Sequence, residues 1–209
     1  MKKNFYLVIL LVLPIFSFAQ VIILLTNPSF EDVGRHSQVP SGWYDCGFPG
    51  ESPPDTQPDL QGTFGVSKNA YDGFTYLGLV VRDNNTWEAV SQQLPEKLET
   101  DSCYTLFIYA ARSVSYVSAS RTNGMEANYV TPVILRIYSG FDYCDKTKLL
   151  AESDLITNTA WKELKFDFQP DADYTRLVIE AFYKIPVLFP YNGNVLVDYL
   201  QLEKGCGDR

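Results

Sequence analysis

Hydrophobic and polar residues alternate with a period of two along much of the chain, which is the pattern of half-buried β-strands. The clearest example is Glu163 to Phe168, in which charged and apolar residues strictly alternate. Cys103 to Arg112 is apolar in both phases, as expected of a central strand that is covered on both faces. No segment carries a sustained apolar stripe at helical spacing. The pattern therefore predicts an all-β protein.

Polar turn signals separate the strand-like segments. Arg82 to Asn85 is one such cluster, and Asn192-Gly193 suits a tight turn into the last strand because both residues tolerate a positive φ. Roughly six to ten short strands with polar turns predict a two-sheet antiparallel β-sandwich, or jelly roll. The other predicted strands are Val21 to Leu25, Thr75 to Val81, Trp87 to Leu94, Val130 to Tyr138 and Tyr174 to Lys184.

Two long irregular stretches interrupt the strands. Asp32 to Phe64 is rich in Pro and Gly, and Ser113 to Tyr129 is mostly polar. Loops of this length in a compact domain are more often functional than accidental. We therefore expect them to contribute to a binding site, and neither has the features of a linker between two domains.

The N-terminus has the features of a secretory signal peptide. Lys2 and Lys3 supply a basic start, residues 6–16 are apolar, and Ser17 and Ala19 are the small residues of a cleavage site. The sequence thus predicts a signal peptide over residues 1–19 and a single domain over residues 20–209. The predicted location is the periplasm, the outer surface or the cell exterior. No later apolar stretch is long enough to cross a bilayer.

The net charge of −8 narrows the range of partners. Nucleic acids and anionic membrane surfaces need clustered Lys and Arg, so an acidic chain argues against both. Uncharged sugars and cations are compatible with this composition.

Four cysteines follow the predicted signal peptide: Cys46, Cys103, Cys144 and Cys206. An even number in an exported chain predicts two disulfides, and the spacing leaves all three connectivities open. None forms a Cys-x-x-Cys pair, which argues against a zinc-finger type of site. Free buried thiols are the alternative.

Catalytic motifs are largely absent from the sequence. The single histidine, His36, lies in a polar stretch where such a residue is usually a solvated side chain. No Gly-x-Ser-x-Gly, His-Glu-x-x-His or phosphate-binding glycine loop occurs. We therefore predict no catalytic residues. A small polysaccharide-active jelly roll is the enzymatic alternative, because the paired carboxylates of glycoside hydrolysis are remote in sequence.

Two motifs bracket the predicted domain. Asn27 to Asp32 (Asn-Pro-Ser-Phe-Glu-Asp) opens it, followed by Gly42-Trp43, and Asn194 to Glu203 closes it. Together they resemble the first and last strands of galactose-binding-like jelly rolls, in particular family 4/9-type carbohydrate-binding modules exported by Bacteroidetes-type bacteria. The resemblance implies a secreted, non-catalytic binding domain whose terminal strands are neighbours and which often holds a structural calcium ion.

Asp198 in the closing motif has the same phase as Leu196 and Leu200, which predicts a carboxylate on an apolar face. Such a group must be neutralised, paired or bound to a metal, because an isolated buried charge is very costly. Calcium prefers carboxylate and carbonyl oxygens, so Glu31 and Asp198 are the candidate calcium ligands. Hydrogen bonds from backbone N–H groups or an Arg are the alternative, and Tyr199 stands where the family usually has a second acid.

Glycan binding needs flat aromatic rings that stack on sugar rings, together with polar side chains that bind hydroxyl groups. Both kinds of residue occur in the turn regions and the irregular stretches. The predicted ligand-binding set is Trp87, Arg82, Tyr116, Arg121 and Tyr129. The predicted partner is a glycan or, as the alternative, an envelope protein that docks on the same sandwich.

Overall fold

The computed structural model describes residues 21–206, so the predicted signal peptide lies outside the described residues. Within this range the chain forms thirteen strands, and no helix that could cross a membrane occurs there. The strands are β1 (Val21–Ile23), β2 (Tyr44–Asp45), β3 (Asp55–Gln57), β4 (Tyr76–Val81), β5 (Ala89–Gln93), β6 (Tyr104–Ala111), β7 (Val117–Ala119), β8 (Glu126–Asn128), β9 (Ile134–Gly140), β10 (Lys148–Glu152), β11 (Lys162–Phe168), β12 (Arg176–Phe182) and β13 (Gly193–Lys204).

Two antiparallel sheets form the predicted sandwich. The six-stranded sheet has the order β11-β6-β13-β4-β3, with β1 paired to the end of β13, and the five-stranded sheet has the order β10-β9-β12-β5-β2. The first and last strands are thus neighbours, as the opening and closing motifs imply. The strand β6 lies inside its sheet and is buried along nearly its whole length, which confirms the prediction from its continuous apolar run.

The main hydrophobic core lies between the two sheets and follows the period-two pattern. In β11 the apolar positions point toward it, whereas the charged positions between them are exposed. Trp43 of the opening motif is buried against Phe30, with ring centroids 4.9 Å apart. The opening motif therefore contributes directly to the core.

The predicted phase of the last strand is wrong on one point. The pairing of β13 with β6 shifts by one residue between Asp198 and Leu200, and Tyr199 adopts a φ of 44° there. Because of this β-bulge, Leu200 lies in the main core, whereas Leu196 belongs to the opposite face of the sheet. Asp198 is fully buried, as predicted, but before the bulge it shares the outer phase with Leu196.

Both predicted disulfides form, and the structure selects one of the three connectivities. Cys46 pairs with Cys144, which joins the end of β2 to the loop between β9 and β10. Cys103 pairs with Cys206, which joins the start of β6 to the end of β13. No cysteine among the described residues is free.

The two irregular stretches contain short strands that the sequence pattern does not predict. The first holds β2 and β3, and the second folds into the hairpin of β7 and β8. This second stretch covers the outer face of the six-stranded sheet, where its tyrosines form a separate buried cluster. The cluster comprises Val66, Tyr76, Val80, Tyr116, Tyr129 and Leu196.

Asp59 fixes the turn that follows β3. Its carboxylate accepts hydrogen bonds from the backbone N–H groups of Gln61 and Thr63, both at 3.1 Å, and lies 3.2 Å from Nδ1 of His36. Burial opposes ionisation of Asp59, but the hydrogen bonds outweigh it and lower its pKa to about 2. The stabilisation from this group is therefore present above its ordinary pKa and is lost as the pH falls through about 2.

We expect Asp59→Asn to lower the free energy of unfolding by about 2 kcal/mol at pH 7, the usual value for hydrogen bonds to a charged group. The difference from wild type should shrink as the pH falls from 4 toward 2. Urea unfolding at pH 7, 4 and 2.5 measures it, with the exposed Asp154→Asn as the neutral control. A difference that stays constant over this range would contradict the lowered pKa.

Candidate ligand-binding site

Four of the five predicted ligand-binding residues converge on one cavity, which we call the polar cavity. Arg82, Tyr116, Arg121 and Tyr129 line it on the outer side of the six-stranded sheet. The space between them is about 10 Å³, which is room for about one water molecule. In the conformation described, the polar cavity is therefore too small for a sugar ring.

Buried charged groups fill the base of the polar cavity. Arg82 forms a close ion pair with Glu88 and lies 3.6 Å from Glu51. Glu51 forms a second ion pair with Arg121 at 2.8 Å. Burial raises the pKa of Glu88, while the adjacent Arg82 guanidinium acts in the opposite direction and favours the charged carboxylate. This network links β4 and β5 to both irregular stretches, so it stabilises the cover over the six-stranded sheet.

The tyrosines of the polar cavity also make internal contacts. Tyr116 donates its hydroxyl to Asp55, and burial raises the pKa of both groups. Tyr129 donates its hydroxyl to the carbonyl of Ala119 at 2.6 Å, which closes the hairpin. These contacts explain how the four residues hold the fold, and their role as ligand-binding residues stays a prediction.

Trp87 lies elsewhere, beside the outer face of the five-stranded sheet. Its Nε1 donates a hydrogen bond to Oε2 of Glu180 at 2.8 Å. Its ring makes edge contacts with Phe48 at 4.8 Å and with Phe182 at 4.7 Å between centroids. We call Phe48, Trp87 and Phe182 the Trp87 cluster. The structure thus separates Trp87 from the other four predicted residues.

Charged side chains surround the Trp87 cluster because residues that face the core and residues that face outward alternate along β9 and β12. In β12 the residues Leu177, Ile179 and Ala181 enter the main core, and the residues between them face outward. The outward Arg136 of β9 stacks on Phe182, with 3.7 Å between guanidinium carbon and ring centroid.

Each charge beside the Trp87 cluster has a counter-charge. Arg136 donates from Nε to Glu152 at 2.8 Å, and Lys146 pairs closely with the buried Glu180. The cluster therefore has a fixed frame of polar groups around its aromatic rings.

The loop between β9 and β10 crosses this same face. The disulfide of Cys46 and Cys144 fastens it to the end of β2. At this point Tyr44 and Tyr143 lie with ring centroids 4.3 Å apart, and both rings are exposed. The outer face of the five-stranded sheet thus carries two aromatic groups, the Trp87 cluster and this tyrosine pair.

Most of this surface carries no signal in the sequence. Phe48, Arg136 and Phe182 have no motif around them, and only their shared face brings them together. One usable signal was present. In the otherwise apolar strand β12, Arg176 and Glu180 interrupt the hydrophobic run, and their separation of four residues places both on the same face of the strand. Charged residues at that spacing mark the outward face of a buried strand.

The candidate calcium ligands bind the same loop, residues 71–75. Oε1 of Glu31 accepts hydrogen bonds from the backbone N–H groups of Phe74 at 2.8 Å and Thr75 at 3.0 Å. Oδ2 of Asp198 accepts from those of Tyr71 at 2.8 Å and Asp72 at 3.1 Å. Burial raises the pKa of Asp198 to about 7, although these hydrogen bonds act against it.

Both carboxylates therefore accept hydrogen bonds from backbone N–H groups, as expected if such bonds, and not a metal ion, satisfy them. Calcium takes six to eight oxygen ligands. Within residues 21–206, no group of three or more His, Cys, Asp or Glu side chains is arranged to hold a metal. A calcium ion at Glu31 and Asp198 therefore stays a prediction.

Comparisons with known proteins bear on the fold. No family model and no curated protein matches the chain. Among solved structures, the Stig cyclase Fisc from Fischerella sp. TAU is similar with a TM-score of 0.54 and 16% identity, over 91% of this chain and 100% of that one.

Two further structures are similar over most of the chain. The CBM22-1 xylan-binding domain of Paenibacillus barcinonensis Xyn10C has a TM-score of 0.52 and 15% identity, over 92% of this chain and 99% of that one. The K2 cleaved adhesin domain of Lys-gingipain has a TM-score of 0.50 and 10% identity, over 90% and 99%. At these identities the likeness establishes the fold alone, and the chain is a two-sheet antiparallel jelly roll.

Proposed function

We propose that this protein is a secreted, non-catalytic carbohydrate-binding module of the bacterial envelope or the cell exterior. It binds a glycan on the outer face of the five-stranded sheet, at the Trp87 cluster. The observation that carries the proposal is the arrangement of Trp87 and Phe182 beside Arg136 and Glu180. Sugar rings stack on aromatic faces through their apolar side, and their hydroxyl groups bind charged and polar groups around the edge.

The rings of the Trp87 cluster are held in place before any ligand arrives. Glu180 is buried and fixes Trp87 through the indole N–H, while Arg136 covers part of Phe182. Side chains that are already ordered lose less conformational entropy on binding. A preorganised aromatic surface therefore favours binding of a stacked ligand.

Two other observations support the class of function and the location. A xylan-binding domain shares the fold, which makes glycan binding a reasonable expectation for this chain. Two disulfides fit an oxidising compartment outside the cytoplasm. A cyclase also shares the fold, but the acids nearest the Trp87 cluster, Glu152 and Glu180, are paired with cations, which suits holding a ligand better than proton transfer.

We expect Trp87→Ala to weaken glycan binding at least about tenfold, because truncating a central aromatic anchor costs about 2 kcal/mol or more. A glycan array on the wild type identifies the ligand, and isothermal titration calorimetry compares the variants. Trp161→Ala is the matched control, since that indole lies beside the six-stranded sheet, against Tyr76. Equal weakening by both substitutions, or no effect of Trp87→Ala, would contradict the proposed site.

A second candidate function is docking of a protein partner, favoured by one exposed apolar loop. Residues 185–189 follow β12, and within them Leu188 is 93% exposed and Phe189 79% exposed. Contiguous exposed apolar residues of this kind often mark interaction sites. Replacing both residues with Ser should then abolish a pull-down from envelope extracts and leave glycan binding unchanged. Loss of glycan binding in that variant would argue against two separate surfaces.

A further inference from the structure

The outer face of the five-stranded sheet contains one cation without a counter-charge, Arg176. It is the first residue of β12 and is only 9% exposed. Among the described residues, no acid forms an ion pair with it, and its Nε and Nη1 atoms have no hydrogen-bond partner. Two other cations on this face, Arg136 and Lys146, are each paired with a glutamate. Arg176 therefore differs from its neighbours in lacking a charged acceptor: it has a hydrogen bond with the hydroxyl of Tyr143, while its Nε and Nη1 atoms have no partner.

A second buried polar group without a hydrogen-bond partner lies nearby. Ser91 of β5 is fully buried, and its hydroxyl also has no partner. Ser91 pairs with Val178, which is two residues from Arg176 in β12. Diagonal neighbours in an antiparallel pair are about 7–8 Å apart, which a long arginine side chain can span. The two groups thus supply hydrogen-bond donors to one place on the face.

The tyrosine pair covers this place. The ring of Tyr143 lies 3.7 Å from the guanidinium carbon of Arg176 and 4.3 Å from the ring of Tyr44. Tyr44 is also the direct pairing partner of Ser91. Tyr143 is 44% exposed and Tyr44 is 49% exposed, so both side chains can move into solvent and open the donors beneath them.

The chemistry of these groups selects a ligand. An arginine fork matches the planar geometry of a carboxylate and forms two parallel hydrogen bonds with it, and the serine hydroxyl adds a third donor. Adjacent aromatic rings suit the apolar face of the sugar that carries the carboxylate. An acceptor with a negative charge would also neutralise the buried guanidinium, which an uncharged sugar cannot do.

We propose that Arg176 and Ser91 form a subsite for the carboxylate of a uronic acid in the bound glycan, with the ring of Tyr143 as its cover. The inference rests on the proposed function and narrows its ligand to acidic polysaccharides. Arg176 and Glu180 are four residues apart on one strand, which is about 13 Å at the rise of a β-strand. One glycan chain lying along β12 therefore reaches the Trp87 cluster and the carboxylate subsite together.

Matched acidic and neutral glycans test the subsite. The first pair is oligogalacturonate and its fully methyl-esterified form, and the second is a glucuronate-substituted xylo-oligosaccharide and the unsubstituted oligosaccharide. Calorimetry at fixed low salt measures each affinity. We expect the wild type to prefer the acidic member of at least one pair by about tenfold or more, as hydrogen bonds between charged groups require.

Variants assign the preference to Arg176. Arg176→Gln should abolish it, and circular dichroism and thermal unfolding compared with the wild type show whether the variant is folded. Arg176→Lys and Ser91→Ala should reduce it partly, because each removes part of the donor set. Lys97→Gln, which removes an exposed positive charge elsewhere, is the control and should retain the full preference.

Three results would overturn the inference. Equal affinity for both members of each pair would remove the carboxylate subsite and leave the proposed function intact. A preference that persists in Arg176→Gln would assign it to another group. If no member of either pair binds, the result contradicts both the carboxylate subsite and the binding of these polysaccharides at this face.

Discussion

Glu88→Leu should lower the free energy of unfolding by about 3–5 kcal/mol, the usual cost of removing one partner of a buried ion pair. Arg82 is almost fully buried, so its guanidinium group would lose its nearest acceptor with little access to water as a replacement. The backbone N–H of Val80, which donates to Glu88 at 3.0 Å, would lose its partner as well. Guanidinium unfolding monitored by circular dichroism measures the loss.

Two further variants test this explanation of the polar cavity. Glu88→Gln keeps an oxygen acceptor, so it should cost less than Glu88→Leu. Arg121→Gln removes only a partly exposed ion pair with Glu51 and should cost less than about 1 kcal/mol. A stability of Glu88→Leu within 1 kcal/mol of wild type would mean that the network does not hold the cover in place.

Removal of either disulfide should cost about 4–5 kcal/mol, because each closes a loop of about one hundred residues in the unfolded chain. Two double variants should therefore have similar stabilities: one with serine at Cys103 and Cys206, and one with serine at Cys46 and Cys144. Their binding should differ, since only the second pair fastens the loop that carries Tyr143 over the proposed glycan-binding face.

Thermal unfolding and calorimetry of the two double variants separate these effects. We expect glycan affinity to fall in the variant without the Cys46–Cys144 disulfide and to be retained in the other. Retained affinity in both variants would show that the loop between β9 and β10 takes no part in binding.

The sequence pattern predicts the sandwich because its long strands alternate or are continuously apolar. Five strands were missed. The strands β2, β3, β7 and β8 have only two or three residues, too few for a period to be visible, and β10 (Lys-Leu-Leu-Ala-Glu) has no period-two alternation. They form because neighbouring strands offer unpaired backbone groups, which is a tertiary effect. The phase of Asp198 could not be predicted either, since the bulge at Tyr199 adds one residue and reverses the alternation after it.

The candidate site could likewise be predicted from the sequence only in part. Trp87 lies beside an outer face, and its role as a ligand-binding residue stays a prediction. Tyr116 and Tyr129 have the residue type of a sugar-binding platform, but they lie in the hairpin that covers the six-stranded sheet. Sequence alone does not reveal which face of a sandwich is covered by its own loops. For the same reason Arg136 and Phe182 become recognisable only once the sheet is formed.

Nuclear magnetic resonance of the three indole N–H groups tests most directly whether the ligand binds at the Trp87 cluster. Each indole reports on a different region: Trp43 donates to Asn27 in the core, Trp161 donates to Asn69 outside the six-stranded sheet, and Trp87 donates to Glu180. On titration with the glycan that binds best on the array, only the Trp87 signal should shift. A shift of the Trp161 signal with that of Trp87 unchanged would contradict the proposed site.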